Sequence, residues 1–186
     1  VATAAHQVAL NVAAMTFMVP LGLSMATTVR VGHALGGGDP RAARFSGLTG
    51  IGLAGLFMAA MAVTIFAGHR AIADFYTDDP SVVLVASGLL QLAALFQISD
   101  GLQVGALGAL RGLKDTRIPM LIVMVSYWLI AFPLGWLLGV GWGLGPAGSW
   151  IGLIAGLTSA AALLNLRFWR LSARLAQSSP SHRDRA

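Results

Sequence analysis

One acidic residue stands inside a long apolar stretch, and it is the side chain best able to do chemistry. Asp100 lies near the middle of the hydrophobic run 82–110, which is long enough to cross a bilayer because about 20 apolar residues suffice. A carboxylate at bilayer depth costs about 2.5–3.5 kcal/mol on insertion scales, so such residues usually face a protein interior or a wet cavity. The position predicts that Asp100 binds a proton, a metal cation or a cationic substrate.

The neighbours of Asp100 give the same segment a polar face. At about 100° per residue, Phe96, Gln97 and Gln103 fall on the same third of a helix as Asp100. Two amides beside one acid predict the lining of a cavity. The structural alternative is an Asp that only bonds to a neighbouring helix, but Ser or Asn could make that bond at a lower insertion cost. The pattern therefore favours a functional acid.

A second pair of amides lies in the first apolar span. Gln7 and Asn11 are four residues apart, so they share one face of a helix. Two interpretations stay open for them. Either they line the same cavity as Asp100, or they simply bond between helices.

The loop between the second and third spans is acidic and also has two interpretations. Asp78 and Asp79 precede a proline, which is typical of a solvated Asp-Pro turn. Alternatively, their charges attract cations to an outward-facing opening.

Composition places the chain in a membrane. Of its 186 residues, 56% are hydrophobic and 10% are charged, against roughly a quarter charged in a typical soluble protein. The chain has no cysteine, and therefore neither disulfides nor thiolate metal ligands. Its basic residues occur in short groups between apolar runs, so no nucleic-acid partner is expected. No HExxH, GxSxG or phosphate-loop motif occurs, which argues against an enzyme.

Five apolar segments predict an all-α membrane protein, a polytopic bundle of transmembrane helices. The spans cover about residues 8–29, 48–68, 82–110, 118–140 and 147–168, and residues 171–186 are expected to form a disordered, basic tail. The alternative is four spans with one buried re-entrant segment. With five spans, eleven of the twelve Lys and Arg residues fall on one side, which the positive-inside rule makes the cytoplasm. The carboxy terminus is then cytoplasmic, and its arginines are expected to touch anionic membrane lipids.

Small residues and prolines inside the spans predict how the helices pack and bend. Three pairs of glycines at four-residue spacing favour close helix contact, namely Gly101 and Gly105, Gly135 and Gly139, and Gly152 and Gly156. Pro20 and Pro133 each remove a backbone hydrogen bond, so each is expected to kink its span.

Two long segments resemble a known family of transporters. Residues 4–43 read AAHQVALNVAAMTFMVPLGLSMATTVRVGHALGGGDPRAA and resemble helix eight of MATE (multidrug and toxic compound extrusion) transporters, most closely the NorM-type branch. Residues 96–120 read FQISDGLQVGALGALRGLKDTRIPM and resemble helix ten and the cytoplasmic loop after it. Their order and spacing also match, and the resemblance covers nearly the whole chain except the tail.

The resemblance implies a twelve-helix protein with two six-helix lobes, of which this chain would supply helices eight to twelve. The chain begins with Val1 and is interpreted as the carboxy-terminal part of a longer protein, without the amino-terminal lobe that would be its partner. Members of the family export small cationic, amphipathic substrates in exchange for H⁺ or Na⁺. The resemblance thus implies a coupling ion but no cofactor, a monomer when full length, and a bacterial inner membrane location.

The resemblance also assigns roles to two residues of the third span. Asp100 matches the intramembrane acid of helix ten, which is implicated in cation coupling and is a possible Na⁺ ligand. Phe96 stands where NorM-type members often carry a Tyr that helps to ligate the cation. Because Phe offers no oxygen, this departure favours H⁺ over Na⁺.

By the same resemblance, Gln7 and Asn11 match polar positions of helix eight near that cavity. Asp78 and Asp79 fall in the outer loop that can approach a cationic substrate. Two other functions are alternatives to efflux. A flippase for a lipid-linked precursor, from the same superfamily, would need buried Arg or Lys, and apart from Arg167 at the end of the fifth span these spans contain none. A membrane scaffold protein without transport would make Asp100 merely structural.

Overall fold

Five long helices make up the part of the chain that the computed structural model describes, residues 1–178, and each contains one of the five predicted spans. Their bounds are Ala2–Gly36 for α1, Pro40–Tyr76 for α2, Pro80–Gly112 for α3, Arg117–Gly141 for α4 and Gly145–Ser178 for α5. All five are long and apolar enough to cross a membrane. The predicted all-α bundle with five spans is confirmed, in place of the four-span alternative.

The carboxy-terminal end differs from the prediction of a disordered tail. Helix α5 continues through residues 171–178, so the prediction is wrong for this stretch. The physical reason is burial, because Ser172 is only 1% exposed and both Leu171 and Leu175 pack against an apolar core. The rest of the predicted tail, residues 179–186, lies outside the described residues.

Two of the helix starts share a local cause. Asp39 and Asp79 each precede a proline, which suits the first helical position because its missing N–H needs no partner. The Asp39 carboxylate accepts from the Ala42 N–H at 2.9 Å. The Asp79 carboxylate accepts from the N–H of Ser81 at 2.9 Å and from its hydroxyl at 2.6 Å. These caps set where α2 and α3 begin.

Helix α3 is packed against α1, α2 and α5. Helices α1 and α3 run parallel, and polar side chains of α1 bond to α3 with an almost constant offset in sequence of 80 or 81 residues. From the amino-terminal end onward, these bonds join Thr16 to the Gln97 amide, the Ser24 hydroxyl to the Val104 carbonyl and the Thr28 hydroxyl to the Gly108 carbonyl. The constant offset fixes the register in which Asp100 is held.

The predicted glycine pairs lie at helix contacts. A Cβ on Gly101 would stand 2.8 Å from the carbonyl oxygen of Ala54 on α2. A Cβ on Gly152 of α5 would collide with Gly135 of α4. Backbones therefore meet at these points, as the four-residue spacing predicted.

Helix α4 changes its winding around a proline. It is π-helical over Ser126–Ala131 and Leu137–Gly141 and α-helical elsewhere. Pro133 lies between the two π-helical segments, and its ring would crowd the carbonyl four residues earlier in a regular α-helix. The wider π-helical turns on either side of the proline relieve this crowding, and a kink of α4 at Pro133 stays a prediction. Pro20 is buried inside α1, which stays helical through it.

Candidate functional site around Asp100

Asp100 lies on α3, the helix that packs closely against α1, α2 and α5. Its side chain is half-buried, and no hydrogen bond or ion pair joins it to another of residues 1–178. A carboxylate that is taken out of water without a partner is costly when charged. The site therefore favours whatever neutralises that charge, either a proton or a cation.

Gln97 sits one turn before Asp100 and is fully buried against α1. Its Nε2 donates to the hydroxyl of Thr16, which donates in turn to the carbonyls of Val12 and Ala13 at 3.0 and 2.9 Å. The Oε1 of Gln97 has no hydrogen-bond partner among the described residues. Gln97 thus combines a structural bond with one free acceptor.

Gln103 sits one turn after Asp100 and is 7% exposed. Its side chain lies close to the hydroxyl of Tyr127 on α4, and that hydroxyl in turn lies near Asp100. The Oε1 of Gln103 has no partner in residues 1–178. Tyr127 lies in the first π-helical segment of α4. Such segments are rare in proteins, and those that occur are often found at functional sites.

Phe96 packs beside a cluster of aromatic rings. Its ring meets Trp150 of α5 edge to face with centroids 5.6 Å apart, and Trp150 is only 1% exposed. The indole Nε1 of Trp150 donates to Nδ1 of His6 on α1 at 3.1 Å. These contacts tie the amino-terminal ends of α1 and α5 to α3, on the side of Asp100 nearer the start of α3.

The two amides of α1 share a face, as their spacing predicted. Gln7 donates from Nε2 to the Oδ1 of Asn11 at 3.3 Å, and both side chains are exposed. This bond lies within α1 and not between helices. That Gln7 and Asn11 line the same cavity as Asp100 stays a prediction.

The two acids of the loop between α2 and α3 have different surroundings. Asp79 is exposed, and hydrogen bonds from Ser81, the hydroxyl first and then the backbone N–H, hold the pKa of this carboxyl below its ordinary value. Asp79 therefore acts as a helix cap in a solvated turn. Asp78 lines an open groove of about 820 Å³ together with His69 and Arg70. Attraction of cations by these acids stays a prediction.

Sequence reasoning missed three side chains that lie against the polar face of α3, namely Thr16 beside Gln97, Tyr127 beside Gln103 and Trp150 beside Phe96. The available signal was a polar atom inside an apolar span, which also singles out many interfacial residues. Only the rotation of each helix about its axis brings them toward α3, and periodicity within one helix does not fix that rotation.

The chemistry that this arrangement offers is that of oxygen acceptors. In addition to the carboxylate, two buried oxygens of α3 lack a hydrogen-bond partner within residues 1–178, namely Oε1 of Gln97 and Oε1 of Gln103. No group of three or more His, Cys, Asp or Glu side chains that could hold a metal ion occurs in that part of the chain. The oxygens suit a proton or a hard cation better than a soft metal.

Comparison with known proteins finds relatives over most of the chain. Residues 1–137 match the MatE family. The chain is 53% identical over 172 residues to the probable multidrug resistance protein NorM of Xanthomonas axonopodis pv. citri (strain 306), covering 92% of this chain and 38% of that protein. It is 46% identical over 175 residues to the multidrug resistance protein PmpM of Pseudomonas aeruginosa, covering 92% of this chain and 37% of that protein. The chain thus spans less than two fifths of these curated relatives.

Solved structures share the fold at lower identity. The eukaryotic MATE transporter AtDTX14 superposes with a TM-score of 0.84 at 23% identity, covering 95% of this chain and 41% of that one. An inward-facing MATE family transporter of the MOP superfamily gives 0.79 at 18% identity, covering 92% and 40% of the two chains.

Proposed function

Because the chain belongs to the MatE family, we propose that it forms the carboxy-terminal lobe of a multidrug antiporter. The full-length protein exports small cationic, amphipathic compounds in exchange for H⁺ or Na⁺. Relatives named as multidrug resistance proteins support this proposal. The amino-terminal lobe of the same protein is the partner that completes the transport pathway, since this chain spans only 38% of the first of these relatives.

The observation that carries the proposal is the half-buried, unpartnered carboxylate of Asp100. A charge with no counterion favours binding of a proton or a cation. If a substrate cation and a coupling ion both need this charge, binding of one weakens binding of the other by linkage. Asp100 is then the coupling residue, and Gln97 and Gln103 help to line its cavity.

The choice between H⁺ and Na⁺ depends on the oxygens near Asp100. Phe96 offers none, which favours H⁺. The Tyr127 hydroxyl and the free Oε1 of Gln103 offer two, so Na⁺ remains a candidate. No cofactor is needed beyond the coupling ion.

The proposal includes a location. The protein is a multi-pass protein of the bacterial inner membrane, surrounded by lipids, with its carboxy terminus in the cytoplasm. It acts as a monomer when full length and has no nucleic-acid partner. The positive-inside rule supports this orientation.

The test is efflux of a fluorescent cationic dye by the full-length protein in cells that lack other pumps. Wild type is compared with Asp100→Asn at matched membrane expression, while the Na⁺ gradient and the pH gradient are collapsed in turn. We expect Asp100→Asn to lose efflux by at least about tenfold, because the amide cannot exchange its charge. The gradient whose collapse stops wild-type efflux identifies the coupling ion.

Two further variants sharpen the result. Asp74→Asn removes an exposed carboxylate at the outer end of α2 and should keep efflux near wild type. Asp100→Glu keeps the charge and should retain part of the activity. If Asp100→Asn exports dye like wild type, the acid is structural and the coupling role is wrong. If wild type exports no dye, the flippase and scaffold functions gain support.

A further inference from the structure

A groove between α4 and α5 lies apart from the Asp100 cluster, at the arginine-rich end of the bundle. We call it the arginine groove. It encloses about 330 Å³. Its lining includes Arg167, Arg170, Arg174, Leu163, Leu166 and Ile122.

The lining of the arginine groove changes from apolar to basic along α5. Leu163 and Leu166 come first along the helix and are 46% and 40% exposed. Arg167, Arg170 and Arg174 follow at spacings of three and four residues, so they share one face of α5. The groove is therefore apolar toward the middle of the bundle and positively charged toward its end.

Within residues 1–178, most of the positive charge in the groove has no paired anion. Arg167 of α5 donates from Nε to Oδ2 of Asp115, which lies in the loop between α3 and α4, at 2.5 Å. Arg170 and Arg174 are exposed and make no ion pair with any of residues 1–178. Two guanidinium groups, and the remaining N–H donors of a third, are thus available to an anion.

We propose that the arginine groove binds an anionic phospholipid. The guanidinium groups of Arg170 and Arg174 hold the phosphodiester, for which their planar, forked donors are well suited. The acyl chains lie along the leucines and bury methylene groups there. Trp169, 56% exposed beside these arginines, marks the level of the lipid headgroups.

Charge selects the lipid class. A zwitterionic lipid carries its own cation beside the phosphate, so it gains less from two unpaired arginines than a lipid with net negative charge. Basic pockets between helices on the cytoplasmic side are a common way to bind such headgroups. This inference does not depend on the transport function proposed above.

The test is native mass spectrometry of the full-length protein in a mild detergent, titrated with phosphatidylglycerol or with phosphatidylcholine of identical acyl chains. Wild type is compared with Arg170→Gln/Arg174→Gln. The matched control is Arg30→Gln/Lys114→Gln, which removes two exposed charges outside the groove. A third arm adds inorganic phosphate as a competitor.

We expect the groove variant to bind phosphatidylglycerol roughly thirtyfold more weakly than wild type, since each arginine near a headgroup contributes about a factor of five. The control should bind like wild type, phosphatidylcholine should bind more weakly than phosphatidylglycerol, and inorganic phosphate should not displace the lipid. Equal binding by wild type and the groove variant would overturn the proposal. Equal binding of the two lipids would also overturn it, and so would displacement of the lipid by inorganic phosphate. The same holds if the wild-type protein binds no phosphatidylglycerol, as would happen if the other lobe covers the groove.

Discussion

The side chain of Gln97 is completely buried, yet only one of its two polar ends has a partner in residues 1–178. Its amide nitrogen bonds to Thr16, while its oxygen has no hydrogen-bond partner in that part of the chain. An unpaired buried acceptor costs about 1–3 kcal/mol, and native proteins keep such groups where water, an ion or a ligand meets them. Gln97 therefore links the structural contact between α1 and α3 to the candidate site.

Removing the partner of Gln97 should weaken the contact between α1 and α3. Thr16→Val keeps the shape of the side chain but leaves the Gln97 amide unbonded. We expect a loss of about 1 kcal/mol, seen as a lower midpoint of thermal unfolding of the full-length protein in detergent. Thr64→Val is the control, because the exposed Thr64 hydroxyl bonds within its own helix α2, to the Ala60 carbonyl at 3.0 Å, and to no other helix in residues 1–178. A loss of equal size in both variants would contradict the role of the Thr16–Gln97 bond.

How far the sequence predicted the site differs from residue to residue. Asp100, Gln97 and Gln103 could be grouped because their spacing within one helix places them on one face. Thr16, Tyr127 and Trp150 could not, since their approach depends on how neighbouring helices rotate and on the π-helical winding of α4. The pairing of Gln7 with Asn11 was predictable, but the surface they face was not.

At the scale of helices, the contact between α1 and α3 depends on backbone proximity as well as on hydrogen bonds. Gly108 accepts the Thr28 hydroxyl at its carbonyl, and a Cβ at Gly108 would collide with the backbone of Ser24. Gly108 was not among the glycine pairs singled out in the sequence. Spacing alone shows that small residues recur, and only the packed structure shows which of them carry a contact.

Two glycines of α3 provide a matched test of this contact. Gly108→Ala should destabilise the full-length protein by about 1–3 kcal/mol, because the α1 backbone has to move away. Gly88→Ala, in the same helix but with open space around it, should be neutral or stabilise by about 0.5–1 kcal/mol through its better helix propensity. Thermal unfolding in one detergent compares them. If Gly88→Ala destabilises the protein as much as Gly108→Ala does, or more, then α1 does not approach α3 as closely as this contact requires.

The start of α3 should respond to acid. The Ser81 hydroxyl and N–H bond to the charged Asp79 carboxylate and lower its pKa from the ordinary 3.8. A lowered pKa means that the cap contributes fully above the ordinary value and is lost as the pH falls through the lowered one. Hydrogen-exchange protection of residues 81–83 should therefore be constant from neutral pH to about 4 and decline below it.

Asp79→Asn is the control for this pH dependence. Asn is also a good helix cap, but it does not titrate in this range, so the start of α3 should stay protected to lower pH. If protection in Asp79→Asn declines with acid in the same way as in wild type, groups other than Asp79 cause the change.

At the scale of the whole molecule, the fold was largely predictable because span length and charge distribution are properties of the sequence alone. Each predicted span falls inside one helix. Among residues 1–178, most basic side chains lie at one end of the bundle, where Arg167 of α5 pairs with Asp115 after α3. Arg70, Asp74 and Asp78 share a groove at the opposite end. The helical extension over residues 171–178 was not predictable from polarity, because its burial depends on packing against the cores of other helices.

The absence of cysteine from this chain allows its orientation to be measured directly. In the full-length protein, with any cysteine outside this chain replaced by serine, Asp74→Cys reports on the carboxy-terminal end of α2 and Arg41→Cys on its amino-terminal end. Both positions are exposed. With the arginine-rich end in the cytoplasm, a membrane-impermeant maleimide should label Asp74→Cys in intact cells, and Arg41→Cys only after the membrane is permeabilised. The reverse labelling pattern would place the arginine groove on the outer face of the membrane. The orientation inferred from the distribution of eleven of the twelve basic residues would then be wrong.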